Sequence, residues 1–286
     1  MDEIGIIKQG LNELGLMDGD VKIRHHSSSL FPLYRADDGG RTLAVKAMRS
    51  IHMARSEGNG LRALREAGAL APEVFGVFEA NGRALLVMEF LEHGSSGNSR
   101  ESLKSSLKAL YGVERETWGW DEDNFIGTLP QKNGTYATFS EFWWKDRILA
   151  QLEMAVGKRL LNQKHIDQAK DVVFRKCADW KLDEQTPRLI HGDLWGGNVL
   201  AAKRGMVLID PSVARSNPEQ DLGMLALFGN PLGFEDMEEL SAFAGMPGGL
   251  SERISFWQLY PLLVHVNIFG GSYVSSTERV LRTYRA

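Results

Sequence analysis

The feature that most constrains this chain is a segment at residues 189–211, in which apolar runs flank a glycine-rich turn. It reads Leu-Ile-His-Gly-Asp-Leu-Trp-Gly-Gly-Asn-Val-Leu from residue 189 and Val-Leu-Ile-Asp-Pro from residue 207. The apolar runs predict β-strands, and the pattern is expected to place Asp193, Asn198 and Asp210 around one short hairpin. A fold that builds this hairpin brings two carboxylates and one amide to a single site.

These three polar side chains match the requirements of phosphoryl transfer. Asp193 can accept a proton from an attacking hydroxyl, whereas Asn198 and Asp210 can hold magnesium on the phosphates of a nucleotide. The spacing His-x-Asp-x-x-x-x-Asn is a variant of the kinase catalytic loop, with Gly192 in the place of an arginine. Each residue alone is common in turns or at strand ends, so the prediction depends on their combination.

The composition is that of an ordinary globular protein. A length of 286 residues, with 43% hydrophobic and 24% charged residues, suits one large domain or two lobes. The net charge of −4 argues against nucleic-acid binding as the main function. Cys177 is the single cysteine, and the acidic start lacks a signal-peptide pattern, so a cytoplasmic location is expected. Polar residues interrupt the longest apolar stretch, at 256–270, so no membrane span is expected.

The order of the apolar patterns predicts an α+β, bilobal, protein-kinase-like fold. Residues 1–92 are expected to form a small β-rich nucleotide-binding lobe, with a boundary in the small polar segment 94–99. Residues 93–286 are expected to form a larger, mainly helical lobe that carries the catalytic hairpin and the acceptor site. The predicted helices lie at residues 1–16, 54–67, 100–111, 139–160, 165–180, 218–228, 235–244 and 251–269, and the predicted strands lie within 21–48 and 75–90.

A cationic partner for the phosphates is predicted at Lys46, which ends the apolar strand 43–46. Glu57 follows in the next helix and shares a helical face with Leu61 and Leu64. Its carboxylate is therefore expected on the buried side, where an unpaired charge would be costly. We predict an ion pair between Lys46 and Glu57.

The remaining nucleotide contacts are less specific in the sequence. The loop at residues 25–32 is expected to cover the phosphates; it lacks Gly-x-Gly-x-x-Gly but offers backbone N–H groups and hydroxyls such as that of Ser28. A plain surface turn is the alternative for this loop. Segment 87–91 is expected to be the adenine hinge, which assigns Glu89 and Leu91 to the nucleotide site. Asp221, at the start of a predicted helix, is expected to brace the catalytic loop.

Four segments carry a more specific pattern than the bare kinase loop. They are His191–Val199, with Trp195 two residues after Asp193; Trp118–Gly134, with Phe142, Trp143 and Arg147 nearby; Glu219–Gly229; and Leu259–Tyr273. With these segments the chain resembles the fructosamine kinase (ketosamine 3-kinase) family, within the kinase-like superfamily that includes aminoglycoside and choline kinases. The resemblance spans about residues 3–280. The loop at residues 25–29 departs from it, because the family usually has a glycine pair there.

The resemblance implies an activity and a set of roles. The activity is ATP-dependent phosphorylation of the 3-hydroxyl of a ketosamine, a fructosamine or ribulosamine that is free or attached to a protein lysine, as a deglycation-type repair. Asp193 would orient and deprotonate the hydroxyl, and Lys46, braced by Glu57, would steady the phosphates of ATP. Asn198 and Asp210 would hold Mg²⁺. The substrate-lining residues implied are Trp195, Asn124 and His265.

Two alternatives remain open at this point. The first is a kinase of another small alcohol or amine, of the aminoglycoside, choline or homoserine type. Segment 256–273 contains no acidic residue, which argues against a polycationic aminoglycoside. The second is a catalytically silent nucleotide-binding protein, which would be expected to lack one of the four residues Lys46, Asp193, Asn198 and Asp210. The sequence leaves the sugar amine and the oligomeric state undetermined.

Overall fold

A five-stranded antiparallel sheet forms the core of the N-terminal region. In the computed structural model, which describes residues 2–28, 30–94 and 99–285, with the backbone alone at residue 28, the strands are β1 (Lys22–Ser28), β2 (Pro32–Asp37), β3 (Thr42–Met48), β4 (Val74–Ala80) and β5 (Arg83–Glu89). Their order in the sheet is β1-β2-β3-β5-β4. Helix α1 (Glu3–Glu13) buries Ile6, Ile7 and Leu11 in the same apolar core as β3 and β5.

Helix α2 (Ile51–Glu66) connects β3 to β4 and packs against β4 and β5. It begins after Ser50, whose hydroxyl accepts a hydrogen bond from the Met53 N–H at 3.3 Å. Gly58 is a poor helix former, yet it lies where the helix faces Val74 and Leu86 of the sheet. A Cβ at this position would lie 3.2 Å from Leu86 Cδ1. The short side chain therefore allows the helix to pack near the sheet, and Glu57 lies beside this contact in sequence.

Helices dominate the rest of the chain. They are α3 (Ser99–Tyr111), α4 (Phe139–Phe142), a π-helical segment (Trp143–Leu149), α5 (Ala150–Gly157), α6 (Gln163–Asp179), α7 (Glu219–Leu227), α8 (Phe234–Phe243), α9 (Leu250–Trp257), α10 (Leu259–Phe269) and α11 (Val274–Thr283). The helix predicted at 139–160 is therefore three joined segments, and α11 was not predicted. The helix predicted at 251–269 is divided at Gln258, because Pro261 has no N–H to donate to the carbonyl of Trp257.

Short strands carry the segment that the sequence singles out. Strand β10 (Arg188–Ile190) belongs to a four-stranded sheet of order β10-β13-β6-β9, with β6 (Trp118–Gly119), β9 (Thr135–Tyr136) and β13 (Ala214–Ser216). Strands β7 (Asn124–Ile126) and β8 (Leu129–Gln131) form one hairpin, and β11 (Val199–Ala202) and β12 (Gly205–Leu208) form another. The hairpin expected over 189–211 is thus limited to 199–208, because β10 pairs with β13 instead.

Internal contacts divide the chain into two compact units. Unit 1 comprises Met1–Leu103 and Val199–Pro211, and unit 2 comprises Lys104–Asn198 and Ser212–Ala286. The lobes predicted at 1–92 and 93–286 stay a prediction, and the units differ from them in the first turn of α3 and in the β11–β12 hairpin. The α+β class, with a sheet-rich N-terminal region and a mainly helical remainder, is confirmed. Within the described ranges, every helix is too short or too polar to cross a membrane.

Candidate active site

Lys46, in β3, is the centre of the charged site in unit 1. Its Nζ donates to both carboxylate oxygens of Glu57 at 2.8 Å and to Oδ1 of Asp210 at 2.9 Å. The side chains of Lys46 and Glu57 are 7% and 11% exposed, so the predicted ion pair is present and buried. The contact with Asp210 was not predicted, and it places one ammonium between two carboxylates.

The pKa values of Lys46 and Glu57 are shifted by burial and by the neighbouring charges. Burial lowers the pKa of Lys46, but the carboxylates of Asp210 and Glu57 outweigh burial, so the net pKa lies above the ordinary value for lysine. Burial raises the pKa of Glu57 to about 7; Lys46 opposes this rise, and the charge of Asp210 adds to it. Lys46 therefore stays charged between the two carboxylates.

Asp210 has an unusual backbone conformation. It follows β12 and has φ +54°, in the left-handed region that residues other than glycine rarely adopt. Its side chain is 34% exposed, whereas that of Lys46 is buried. Strained backbone of this kind concentrates at functional sites, where the surrounding structure maintains it.

A cleft in unit 1 adjoins the charged residues. It contains about 650 Å³ of space that no protein atom fills, part of it open solvent. Lys46 and Asp210 line it together with apolar side chains from four strands and from the residue after β12, namely Leu33, Ala44, Met88, Leu200 and Ile209. An apolar slot with a lysine and a carboxylate in its lining suits a flat aromatic base joined to phosphates.

The predicted hinge residues also line this cleft. Glu89 and Leu91 both belong to its lining, on either side of Phe90. The Glu89 carboxylate accepts from Arg204 Nη1 at 2.7 Å, and its N–H donates to the carbonyl of Glu73 at 2.8 Å. The side chain and N–H of Glu89 therefore hold neighbouring segments of the protein together, and its roles in nucleotide binding stay a prediction.

The predicted phosphate loop is described in part. His26, Ser27 and Phe31 line the cleft, and the backbone of Ser28 pairs with Pro32 at the end of β1. Ser29 and the side chain of Ser28 lie outside the described residues, so the assignment of Ser28 stays a prediction. Residues 95–98 of the predicted lobe boundary lie outside them as well.

In unit 2, the carboxylate of Asp221 holds the catalytic loop through backbone N–H groups of that loop. The two oxygens of its buried carboxylate accept from the N–H groups of His191 and Gly192, each at 2.8 Å. Tyr111, a residue that the sequence analysis missed, donates its hydroxyl to the same carboxylate at 3.3 Å. Burial raises the pKa of Asp221 to about 7, against the three hydrogen bonds that lower it. The bracing contact predicted for Asp221 is therefore present.

The loop that Asp221 holds brings Asp193 and Asn198 into contact. The side-chain amide of Asn198 donates to Asp193 Oδ2 at 3.1 Å and to the Asp193 carbonyl at 2.8 Å. Trp195 lies between them in sequence and is 40% exposed. Its ring covers Gly197, where a Cβ would lie 2.2 Å from the indole Cη2, so glycine is required for this orientation of the ring.

Asn124, which was predicted to line the substrate site, is buried and hydrogen-bonded within unit 2. It is 5% exposed, its Nδ2 donates to the Val213 carbonyl at 3.0 Å, and its Oδ1 accepts from Gln131 and Asn133. Gln131 also donates to Ser212 Oγ at 2.9 Å. The amide of Asn124 thus belongs to a buried network that holds the chain after Pro211, and its role as a substrate contact stays a prediction.

His265, the third predicted substrate residue, is half-buried in α10. Its Nδ1 lies 2.8 Å from the Pro261 carbonyl, and its ring stacks on Phe228 at 4.2 Å between centroids. Phe228 was not predicted, although it follows α7 at the edge of the Glu219–Gly229 motif. Ala44 in the nucleotide cleft could have been predicted, because it lies two residues before Lys46 on the same face of β3.

Comparison with known proteins places these features in a family. The model of the fructosamine kinase family matches residues 27–286. The chain belongs to the fructosamine kinase family. It is 35% identical over 239 residues to a "Probable ketoamine kinase" from Enterococcus faecium, covering 80% of this chain and 82% of that relative. As a member of this family, the protein is an ATP-dependent phosphotransferase.

Solved structures support the same conclusion about the fold. A protein from Thermobifida fusca assigned as a fructosamine-3-kinase is 33% identical and has a TM-score of 0.79, with 94% of each chain covered. An aminoglycoside phosphotransferase in complex with ADP and hygromycin B has a TM-score of 0.59 at 15% identity, covering 96% of this chain and 97% of that one. The second likeness shows the fold alone, which is protein-kinase-like.

Proposed function

We propose that this protein transfers the γ-phosphoryl group of ATP to the 3-hydroxyl of a ketosamine. The observation that carries the proposal is the contact of Asn198 with Asp193 Oδ2 at 3.1 Å, in a loop held by Asp221. This pair of residues is what a kinase catalytic loop provides. The relatives named as ketoamine and fructosamine kinases support a ketosamine as the acceptor.

In this proposal Asp193 acts on the acceptor hydroxyl. The carboxylate orients the hydroxyl and takes its proton while the hydroxyl oxygen forms a bond to the γ-phosphorus. The bond from that phosphorus to the bridging oxygen breaks, and ADP leaves with the bonding electrons. Asn198 holds the carboxylate through its amide, which fixes the direction in which Asp193 faces the acceptor.

Lys46 and the cleft of unit 1 bind the nucleotide. Ala44, Leu200 and their apolar neighbours contact the adenine, and the backbone around Glu89 and Leu91 supplies its hydrogen bonds. The ammonium of Lys46 pairs with the phosphates. The buried contact of Lys46 with Glu57 at 2.8 Å supports this role, because it limits the lysine to one direction.

Asn198 and Asp210 are proposed as the residues that hold Mg²⁺. Amide and carboxylate oxygens are the hard ligands that magnesium prefers, and this ion normally uses one or two protein groups plus phosphates. The described residues contain no cluster of three or more His, Cys, Asp or Glu side chains that could hold a metal, which agrees with a metal that arrives with the nucleotide. When bound, the ion neutralises charge on the phosphates.

The acceptor is proposed to contact Trp195 and His265. Trp195 lies two residues after the proposed base Asp193, and its exposed indole can pack against the apolar side of a sugar. The experiment below distinguishes fructosamine from ribulosamine as the acceptor. The same assay can compare a free with a protein-bound amine. We place the reaction in the cytoplasm, because the chain has one cysteine and that cysteine is buried.

The proposal is tested by measuring ATP consumption with Mg²⁺ against matched acceptors. The panel contains a ribulosamine, a fructosamine, choline, homoserine and an aminoglycoside, and Asp193→Asn serves as the blank. We expect turnover of the ketosamines and a loss of about 10²- to 10⁴-fold in Asp193→Asn, the range for removing a general base. Nucleotide affinity, measured by calorimetry, is expected to stay near that of the wild type.

Each other outcome has a definite meaning. Turnover confined to choline, homoserine or the aminoglycoside would reject the ketosamine acceptor and retain the phosphotransferase site. Nucleotide binding without turnover of any acceptor would favour the silent nucleotide-binding protein. Wild-type turnover in Asp193→Asn would reject the role of Asp193. Product analysis by ³¹P–¹H correlation assigns the phosphorylated hydroxyl, and a phosphate at another position would contradict the 3-hydroxyl.

A further inference from the structure

Three aromatic rings in unit 2 surround the imidazole of His265. The centroids of Phe228, Phe269 and Tyr273 lie 4.2, 5.2 and 4.9 Å from the centroid of His265. Phe269 and Tyr273 also contact each other, at 6.1 Å. These four residues, termed the aromatic cluster, come from the end of α7, from α10 and from the 3₁₀ turn Gly271–Tyr273 that follows it.

The aromatic cluster is open to solvent on one side. Phe269 is 58% exposed, and the other three members are half-buried. Exposed apolar patches of this kind often mark ligand-binding or interaction sites. A ligand that lies on this side would meet aromatic faces or edges from several directions.

Backbone packing connects the aromatic cluster to the catalytic loop. A Cβ at Gly196 would lie 2.8 Å from the carbonyl oxygen of Gly229, so the residue after Trp195 packs against the residue after Phe228. The backbone N–H of Trp195 itself donates to the Asp193 carbonyl at 3.2 Å. Backbone contacts within unit 2 therefore connect the proposed base Asp193, the segment that carries the indole of Trp195, and the segment that carries Phe228 of the aromatic cluster.

The imidazole of His265 is a neutral hydrogen-bond acceptor. The Pro261 carbonyl can only accept, so the hydrogen of the 2.8 Å bond is on Nδ1 and the lone pair is on Nε2. Burial lowers the pKa of His265, which keeps the ring uncharged at neutral pH. All four members of the aromatic cluster are then uncharged, and none of them repels a cation.

We infer that the aromatic cluster binds the ammonium group and adjacent methylenes of the acceptor's amine arm. This inference rests on the proposed function. A ketosamine carries a secondary amine on C1, which is protonated at neutral pH. Three carbons, C1 to C3, separate its nitrogen from the oxygen of the 3-hydroxyl. An acceptor whose hydroxyl reaches Asp193 must therefore place a cation close to the catalytic loop. Aromatic faces attract an ammonium within about 6 Å, and His265 Nε2 can accept one of its hydrogens.

The same arm occurs in two kinds of acceptor. A small free ketosamine and a glycated lysine both present a secondary ammonium followed by methylenes. The inference concerns this shared chemistry, so the two sources are expected to respond alike when the aromatic cluster is altered.

The experiment compares an amine acceptor with its neutral counterpart. The probes are a ketosamine of butylamine, the same sugar with an ether oxygen in place of the nitrogen, and a glycated lysine in a folded carrier protein. The variants are Phe269→Ala, Phe269→Trp to restore an aromatic face, and Phe174→Ala as the control. Phe174 is also an exposed phenylalanine of unit 2, at 41%, and it packs on Trp144 away from the aromatic cluster.

We expect Phe269→Ala to raise KM for both amine acceptors by about fivefold, the effect of one exposed cation–π contact. The kcat for these acceptors is expected to stay unchanged, and the KM for the ether, which keeps only the methylene contacts, to rise by less than the KM for the amines. Phe269→Trp is expected to restore KM, and Phe174→Ala to have no effect. An equal rise for amine and ether, or no rise for either, would overturn the inference. A rise confined to the glycated carrier protein would overturn it too, because the rings would then contact the protein and not the ammonium.

A binding measurement separates this inference from the proposed function. Butylammonium and butanol are titrated into the wild type and Phe269→Ala, with ligand-observed NMR as the readout. If the wild type phosphorylates no ketosamine but Phe269→Ala weakens butylammonium selectively, the proposed function fails and the ammonium site stands. If Phe269→Ala binds butylammonium as well as the wild type does, the inference fails, whichever acceptor is phosphorylated.

Discussion

Lys46 Nζ lies 2.9 Å from Asp210 Oδ1, although 164 positions separate the two residues in sequence. The contact joins β3 to the end of the β11–β12 hairpin within unit 1. Because Lys46 also bonds both oxygens of Glu57, a single ammonium is shared between two carboxylates. A nucleotide that pairs with Lys46 must compete with Asp210, so the affinity for nucleotide is expected to depend on a cation that occupies Asp210.

Replacement of Asp210 tests this dependence. We expect Asp210→Ala to raise the Mg²⁺ concentration needed for half-maximal ATP binding by at least about tenfold, a scale known for groups that support metal sites. Titration calorimetry over a range of Mg²⁺ concentrations gives this value. Glu79→Ala, which removes an exposed carboxylate of β4, is the control and should leave it unchanged. An unaltered Mg²⁺ requirement in Asp210→Ala would contradict the assignment.

The pH dependence of stability tests the buried carboxylate of Asp221. Its pKa is raised from 3.8 to about 7 by burial, so between these values the folded state binds a proton that the unfolded chain releases. The contribution of Asp221 to the free energy of unfolding is therefore fully present below about pH 4 and is lost as the pH rises to about 7. Relative to Asp221→Asn, the wild type should lose up to about 1.4 kcal/mol per pH unit across this window.

Chemical denaturation of both proteins at pH 4, 5, 6 and 7 provides the measurement for Asp221. The difference between the two free energies cancels the titration of all other groups that the substitution leaves unchanged. A difference that stays constant with pH would show that Asp221 titrates alike in the folded and unfolded states.

Gly192 tests how tightly the catalytic loop is packed. It has φ +81°, and a Cβ there would lie 1.8 Å from the Ser212 carbonyl oxygen. Gly39→Ala is the matched control, because Gly39 has φ +91° with nothing within 4 Å of the added carbon. We expect Gly39→Ala to cost about 1–2 kcal/mol of unfolding free energy from backbone strain, and Gly192→Ala to cost about 1–3 kcal/mol more from the clash. Equal losses in urea denaturation would refute the close approach.

The variant Asn124→Ala distinguishes a structural role of Asn124 from a role as a substrate contact. The substitution leaves the Val213 carbonyl and the amides of Gln131 and Asn133 without their buried partner. We expect the free energy of unfolding to fall by about 1–3 kcal/mol, the cost of unsatisfied buried groups, while KM for the acceptor stays within twofold, about the resolution of such an assay. A raised KM with unchanged stability would instead support Asn124 as a substrate contact.

The sequence predicted the fold class and most regular elements because their signals are local. Apolar periodicity located the five strands and α2, and it placed Glu57 on the buried face that contacts Lys46. It missed α11 and the break at Gln258. The short strands between Trp118 and Tyr136 also escaped prediction, since two or three residues are too few to show a period.

What the sequence by itself determined is the set of reactive groups and their local spacing: Asp193 five residues before Asn198, Asp210 after an apolar strand, and Lys46 at the end of another. Their combination identified the family. Only the tertiary structure decided which groups share a partner. The contact of Lys46 with Asp210, the hydrogen bond of Asn124 to Val213 and the stacking of His265 on Phe228 join residues far apart in the chain. Such contacts depend on how elements pack, and packing has no signature at a fixed spacing in the sequence.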